Sequence, residues 1–152
     1  MEPNPAISLV HAATARQVDL SLYQCGREAC APGHAYGPAV RDHYLVHVVE
    51  SGCGRFVSGG ATYPVTAGQG FLIRPMERTF YQADDRDPWT YIWVGFHGTR
   101  VLPLLSRAGL RRGRPVFPAD PAAVRSILEA WQATPDDDTA AMGHLYLFLA
   151  SL

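Results

Sequence analysis

Between residues 18 and 97, apolar and polar positions come in short runs broken by Gly, Pro and Asp. Runs at 20–24, 44–50, 54–58, 61–65, 70–74, 79–83 and 90–96 are rich in β-branched and aromatic residues, the pattern of β-strands. Gly59-Gly60 stands between two of them, as a tight hairpin requires. Ser51-Gly52 and the segment 67–70 mark further reversals, and Pro75, with no N–H for a ladder, marks a turn before the run at 79–83. Short strands this closely spaced predict an antiparallel sandwich or barrel. From residue 99 the period changes. Thr99 is the expected cap of a helix that tolerates Pro103 in its first turn and ends at Gly109. Asp120 caps the next, with Pro121 at its first position, and Val124, Ile127, Leu128 and Trp131 form one stripe. Thr139 opens a third helix, with Ala141, Leu145, Phe148, Leu149 and Leu152 on one face. That helix is still apolar at the last residue, with no closing Gly, Pro or basic turn, so it reads as an element cut through, or ended just before the cut.

The run at 89–96 carries the most information. Alternation puts Trp89, Tyr91 and Trp93 on one face and Ile92, Val94 and Phe96 on the other. Both faces are apolar, so both must be covered. The aliphatic face can take the helices. The ring-bearing face is either plain core or the wall of a binding cavity. Indole and phenol groups carry polar handles that need partners when buried, and such rings suit a sugar, which stacks its C–H face and bonds through its hydroxyls. Tyr81 and Thr79, on one face of the run at 79–83, would complete that wall.

Length and charge narrow the picture. A chain of 152 residues suits one domain and buries roughly 68–70% of its unfolded surface. With 47% hydrophobic and 18% charged residues, it is neither disordered nor fibrous. Thirteen basic residues, all Arg, stand against fourteen acidic ones for a net charge of −1. That leaves no concentrated basic face with which this chain would grip nucleic acid itself. No apolar run reaches the roughly 18 residues of a membrane span, and Met1 to Pro5 carries no basic or apolar signal region. The expected compartment is the cytoplasm, with reduced thiols at Cys25, Cys30 and Cys53. The acidic groups at 84–87 and 136–138 read as solvated turn residues. No nucleophile elbow, phosphate loop or dinucleotide fingerprint is present.

The segment 63–75, a strand, a Gly-containing reversal, a strand and a Pro turn, resembles the second half of a cupin barrel. Metal-binding cupins carry a His shortly after that Pro; here Thr79 and Phe80 fill those positions. His43 and His47 share a strand face but lie roughly 13 Å apart along it, too far for one ion with bonds near 2 Å. Cys25, Cys30 and His34 superficially form a zinc clip, but the simpler reading is two small buried thiols in a turn-rich connection. The expectation is a barrel with no metal and no cofactor.

Three segments together, 25–44 (CGREACAPGHAYGPAVRDHY), 68–75 (GQGFLIRP) and 87–96 (DPWTYIWVGF), resemble the amino-terminal domain of AraC-type transcription regulators, in the branch that controls sugar-utilisation operons. The resemblance covers roughly residues 18–152. It implies a mainly β fold with C-terminal helices: a cupin-like jelly-roll barrel (a double-stranded β-helix) that binds an effector, followed by an α-helical dimerisation segment. The expected division is an N-terminal arm at 1–17, the barrel at 18–98 and the helical segment at 99–152. In the family a further domain with two helix-turn-helix motifs binds DNA; it is absent from this chain. The resemblance assigns the sugar-stacking position to Trp93. Tyr91 stands where arabinose-binding members have His, Thr79 and Tyr81 follow the Pro turn, and Arg41, with His43 beside it, is the candidate cation. The effector would be a mono- or oligosaccharide. The expected homodimer would pair through Leu128, Leu145 and Leu149. The competing readings are a small cupin enzyme (a sugar isomerase or metal-dependent oxygenase) and a pure dimerisation module whose barrel is filled by its own side chains.

Overall fold

The computed structural model describes residues 7–11 and 17–152. Its strands form two antiparallel sheets. Strands β1 (Ile7–His11), β2 (Ser21–Ala29), β4 (Tyr44–Ser51), β7 (Gln69–Ile73), β9 (Thr90–His97) and β10 (Val116–Pro118) make a six-stranded sheet in the order β1-β2-β9-β4-β7-β10. Strands β3 (Ala35–Val40), β5 (Cys53–Ser58), β6 (Ala61–Thr66) and β8 (Arg78–Ala83) make a four-stranded sheet in the order β3-β8-β5-β6. Helices α1 (Val101–Arg107), α2 (Pro121–Ala133) and α3 (Thr139–Ser151) follow the barrel, with β10 between α1 and α2.

Alternation along the central strands sorts the core into two layers. Val46 and Val48 of β4, Leu72 of β7, and Ile92, Val94 and Phe96 of β9 pack with Val124, Ile127, Leu128 and Trp131 of α2 and with Leu145, Phe148 and Leu149 of α3. The alternate residues Leu45, Val49, Phe71, Ile73 and Tyr91 point between the sheets and meet Phe56, Val65 and Tyr81 of the four-stranded sheet. The two faces read from the run at 89–96 are therefore the two layers of the molecule. The β5–β6 hairpin turns at Gly59 and Gly60, both at positive φ (58° and 77°), as a two-residue hairpin of this hand demands.

Local expectations meet the structure unevenly. Asp120 caps α2 through its side chain, accepting from the Ala122 N–H at 2.9 Å, with Pro121 at the first position. Thr99 does not cap α1: the helix opens after Arg100, which makes no side-chain cap bond. Gly109 lies just past its end at φ 76°. The stretch holding Cys25 and Cys30 is not a turn-rich connection. β2 runs on to Ala29, so Cys25 lies mid-strand on the helix side, where burial pushes its thiol up to about 12.

The three dimerisation candidates also need correction. Leu128, Leu145 and Leu149 are 4%, 0% and 1% exposed within the single chain. The two stripes are covered within the chain, α2 packing on β4 and β9 and α3 packing on α2, so these residues are intramolecular core and present no contact surface.

Candidate functional site

Where the two sheets part, the inner residues of β2, β4, β8 and β9 leave a cavity of about 130 Å³ lined by Gln24, Glu28, His34, Tyr36, Arg41, Leu45, His47, Tyr81, Tyr91 and Trp93. Larger hollows lie elsewhere: two, of about 320 and 450 Å³, border β5 and β6, and one of about 370 Å³ lies beside Gln17, Tyr23 and His97; none of these gathers a comparable set of rings and polar groups. Four of the six ligand-site candidates, Arg41, Tyr81, Tyr91 and Trp93, line the small cavity. Thr79 is buried on the same face of β8 as Tyr81 but does not reach the lining. His43 stands behind the wall, where its Nε2 meets Gln24 Nε2 at 3.0 Å and its Nδ1 meets Asp42 Oδ1 at 2.6 Å.

Trp93 owes its pose to a missing side chain. Its register partner on β2 is Gly26, and a Cβ there would come within 2.3 Å of the indole Cζ2. The ring therefore lies over bare backbone, and its Nε1–H donates to Gln24 Oε1 at 3.2 Å. His47, the partner of Trp93 on β4, which the sequence suggested only as a metal ligand to be rejected, lines the cavity. It is 2% exposed and stacks on Phe71 with ring centroids 4.8 Å apart, with Tyr81 and Tyr91 packed around it. Among the described residues its Nδ1 has no hydrogen-bond partner. Burial, reinforced by the Arg41 guanidinium, holds the imidazole well below its usual range. The ring is thus neutral at pH 7, a polar atom facing an apolar site without charge.

Arg41 lies over the Tyr36 ring at 4.5 Å and donates to the Tyr81 hydroxyl. Burial raises the Tyr81 phenol against that cation, and burial together with Tyr81 raises Tyr91. Both phenols therefore keep their protons. The formal charges of the lining are Arg41 and Glu28, one of each sign. Gln24, Glu28, Tyr36 and His47 were legible only through strand parity: 24, 26 and 28 share the inner face of β2, and 47 faces 93 across β4 and β9.

A barrel of two antiparallel sheets with a ring-walled cavity inside and helices packed outside is a cupin-type domain. Residues 21–149 match the profile of the AraC-like ligand binding domain, and the chain belongs to that family. It is 39% identical over 92 residues to the Msm operon regulatory protein of Streptococcus mutans, an overlap covering 60% of this chain and 33% of that protein. It is 29% identical over 142 residues to the lactose operon transcription activator of Staphylococcus xylosus, covering 89% of this chain and 51% of that one. The chain thus spans between a third and about half of the length of these relatives. A cupin protein from Bacteroides fragilis superposes with a TM-score of 0.50 at 14% identity, over 66% of this chain and 85% of that one. Among the described residues no helix is long and apolar enough to cross a membrane.

Proposed function

We propose that this chain is the effector-sensing and dimerisation domain of a cytoplasmic regulator of sugar-utilisation genes, and that it has no catalytic activity of its own. A neutral carbohydrate binds in the barrel, and the information passes to a DNA-binding domain outside this sequence. The named relatives are operon regulators, one of them of a lactose operon, which supports the regulatory reading over a small cupin enzyme. The observation that carries the ligand class is the cavity itself. An indole and three phenols wall it, His47, Tyr81 and Tyr91 are uncharged, and the carboxylate of Glu28 stands opposite the guanidinium of Arg41. A polyhydroxyl compound without net charge matches such a lining: C–H faces lie on rings while hydroxyls reach Arg41, Glu28, His47 and Gln24.

The volume sets a limit on size. About 130 Å³ is well under the roughly 300–1,000 Å³ of drug-sized pockets, so one sugar ring enters and any further ring of an oligosaccharide stays outside. Calorimetric titration with a panel of mono- and disaccharides tests this. One ligand should bind wild-type protein, and Trp93→Ala should weaken it at least about tenfold through loss of the stacked face. Trp93 is only partly buried, so the variant should keep most of its stability. A loss of roughly 3–5 kcal/mol, the cost of a core Trp, with no separable ligand effect, would assign the ring to packing instead.

A further inference from the structure

Glu28, Cys30 and His34 come together where β2 leaves the sheet and the chain turns toward β3. One ligand atom from each lies within 4.8 Å of the other two. Strand parity explains the grouping: residues 28 and 30 share the inner side, whereas Cys25 belongs to the helix side. The clip suggested by the sequence therefore changes one member, with Glu28 taking the place of Cys25. His34 Nε2 and Glu28 Oε1 are 3.7 Å apart, too long for a hydrogen bond. It is close to the spacing between ligands on a small tetrahedral ion, since bonds of about 2.0–2.3 Å put neighbouring ligand atoms about 3.3–3.8 Å apart.

The surroundings hold these groups in place. The Cys30 N–H donates to the Trp89 carbonyl at 3.1 Å, the His34 N–H to the Ala31 carbonyl at 3.0 Å, and the Ala83 N–H to the His34 carbonyl at 2.9 Å. The Tyr91 hydroxyl hydrogen-bonds to the Cys30 sulfur, the kind of outer contact that steadies a metal-bound thiolate. Glu28 and His34 also line the barrel cavity, which gives an ion a way in and leaves one coordination position facing the space.

We propose that Glu28, Cys30 and His34 bind one divalent ion of the zinc class at the rim of the barrel cavity, with a fourth position open to water or to a hydroxyl of the occupant. A thiolate, an imidazole and a carboxylate form the mixed set that favours zinc or cobalt over magnesium or calcium. Three protein ligands plus an open position is the arrangement of exchangeable rather than closed sites. Binding releases the thiol proton. The site differs from the barrel metal positions now filled by Thr79 and Phe80, and it stands whether or not the occupant is a sugar.

The test is a titration of the reduced, chelator-treated 152-residue chain with Co²⁺ followed by Zn²⁺, read by absorbance. One equivalent should produce a thiolate-to-cobalt charge-transfer band with the intense visible bands of a tetrahedral ion, and zinc should erase both. Cys30→Ser should abolish the charge-transfer band, whereas Cys25→Ser and Cys53→Ser should keep it. His34→Ala, at an exposed position, should melt like the parent without metal and bind about tenfold or more weakly. Failure of the wild-type chain to give a saturable band overturns the proposal. So does a band that survives Cys30→Ser or depends on Cys53, or equal affinity in His34→Ala.

Discussion

His47 concentrates the tension between folding and binding in one side chain. Its Nδ1 is buried and unpartnered among the described residues, a state that costs stability of order 1–3 kcal/mol relative to a satisfied or apolar group. His47→Leu keeps the volume roughly constant and removes the polar atom. The expected result at pH 7.5 is a protein about 1 kcal/mol more stable in chemical denaturation that binds its effector at least about tenfold more weakly. The pH dependence has a definite sign. The folded imidazole lies well below the unfolded value of 6.5, so below pH 6.5 the unfolded chain takes up a proton that the folded chain refuses. Stability is then fully present above pH 6.5 and falls by about 1.4 kcal/mol per pH unit on acidification, down to the folded value. The groups facing the ring are Arg41, Tyr81, Tyr91, Phe71 and Trp93; the two phenols, raised by burial, stay protonated throughout that window. The Leu variant should lose this part of the acid slope. An unchanged slope would mean that His47 takes up its proton in the folded state as readily as in the unfolded one.

Among the elements, α3 is apolar on both sides, with no charged residue between Thr139 and Ser151, and the stripe of Ala141, Leu145, Phe148 and Leu149 legible in the sequence is its buried one. The structure leaves Leu147 68% exposed, with Ala140, Gly143 and Ala150 in line on the solvent side. An apolar outer stripe on a helix already fully packed inside is where a second copy would pair. Sedimentation at micromolar concentration should find wild-type dimers. Leu147→Glu should give monomers with an unchanged melting temperature, whereas Leu145→Asp should unfold the domain. A monomeric wild type, or a dimer indifferent to Leu147→Glu, would remove this helix from the interface. Local composition explains the strands that sequence patterning missed. β3 contains Gly37 and Pro38, which signal a turn; as the edge of its sheet, with an irregular register between Tyr36 and Ala39, it tolerates both. β10 has three residues, too few for any periodicity. β2 was read to residue 24 because the next residues include Gly and charged groups, and with its second half went Glu28 and the inner parity of that strand. The central strands β4, β7, β8 and β9, with dense β-branched and aromatic runs, were legible to within a residue or so at their ends, and they carried Tyr81, Tyr91 and Trp93 into the cavity.

In the whole molecule the six-stranded sheet serves two layers at once, ligand-facing residues on one side and helix-facing residues on the other. Glu50, near the end of β4, ties them. Its carboxylate accepts from Arg27 of β2 at 2.9 Å and from Arg125 of α2 at 3.0 Å. The two arginines are each more than two-fifths exposed, so solvent screens them and the cluster contributes modestly. Glu50→Gln should cost about 1 kcal/mol, or roughly 2–4 °C in a domain of this size. The effector acts from the other side. At a hundred times its dissociation constant it should stabilise the fold by about 2.7 kcal/mol, or roughly 5–11 °C. Because Glu50 does not line the cavity, its variant should start lower and rise by the same amount when the effector is added. Trp93→Ala should do the reverse, melting near the parent without effector and barely responding to it. Thermal scans of the three proteins with and without the effector found in the panel distinguish these patterns. If Glu50→Gln abolishes the effector response while the fold persists, the helix tie is part of the binding machinery and the two layers are not separable.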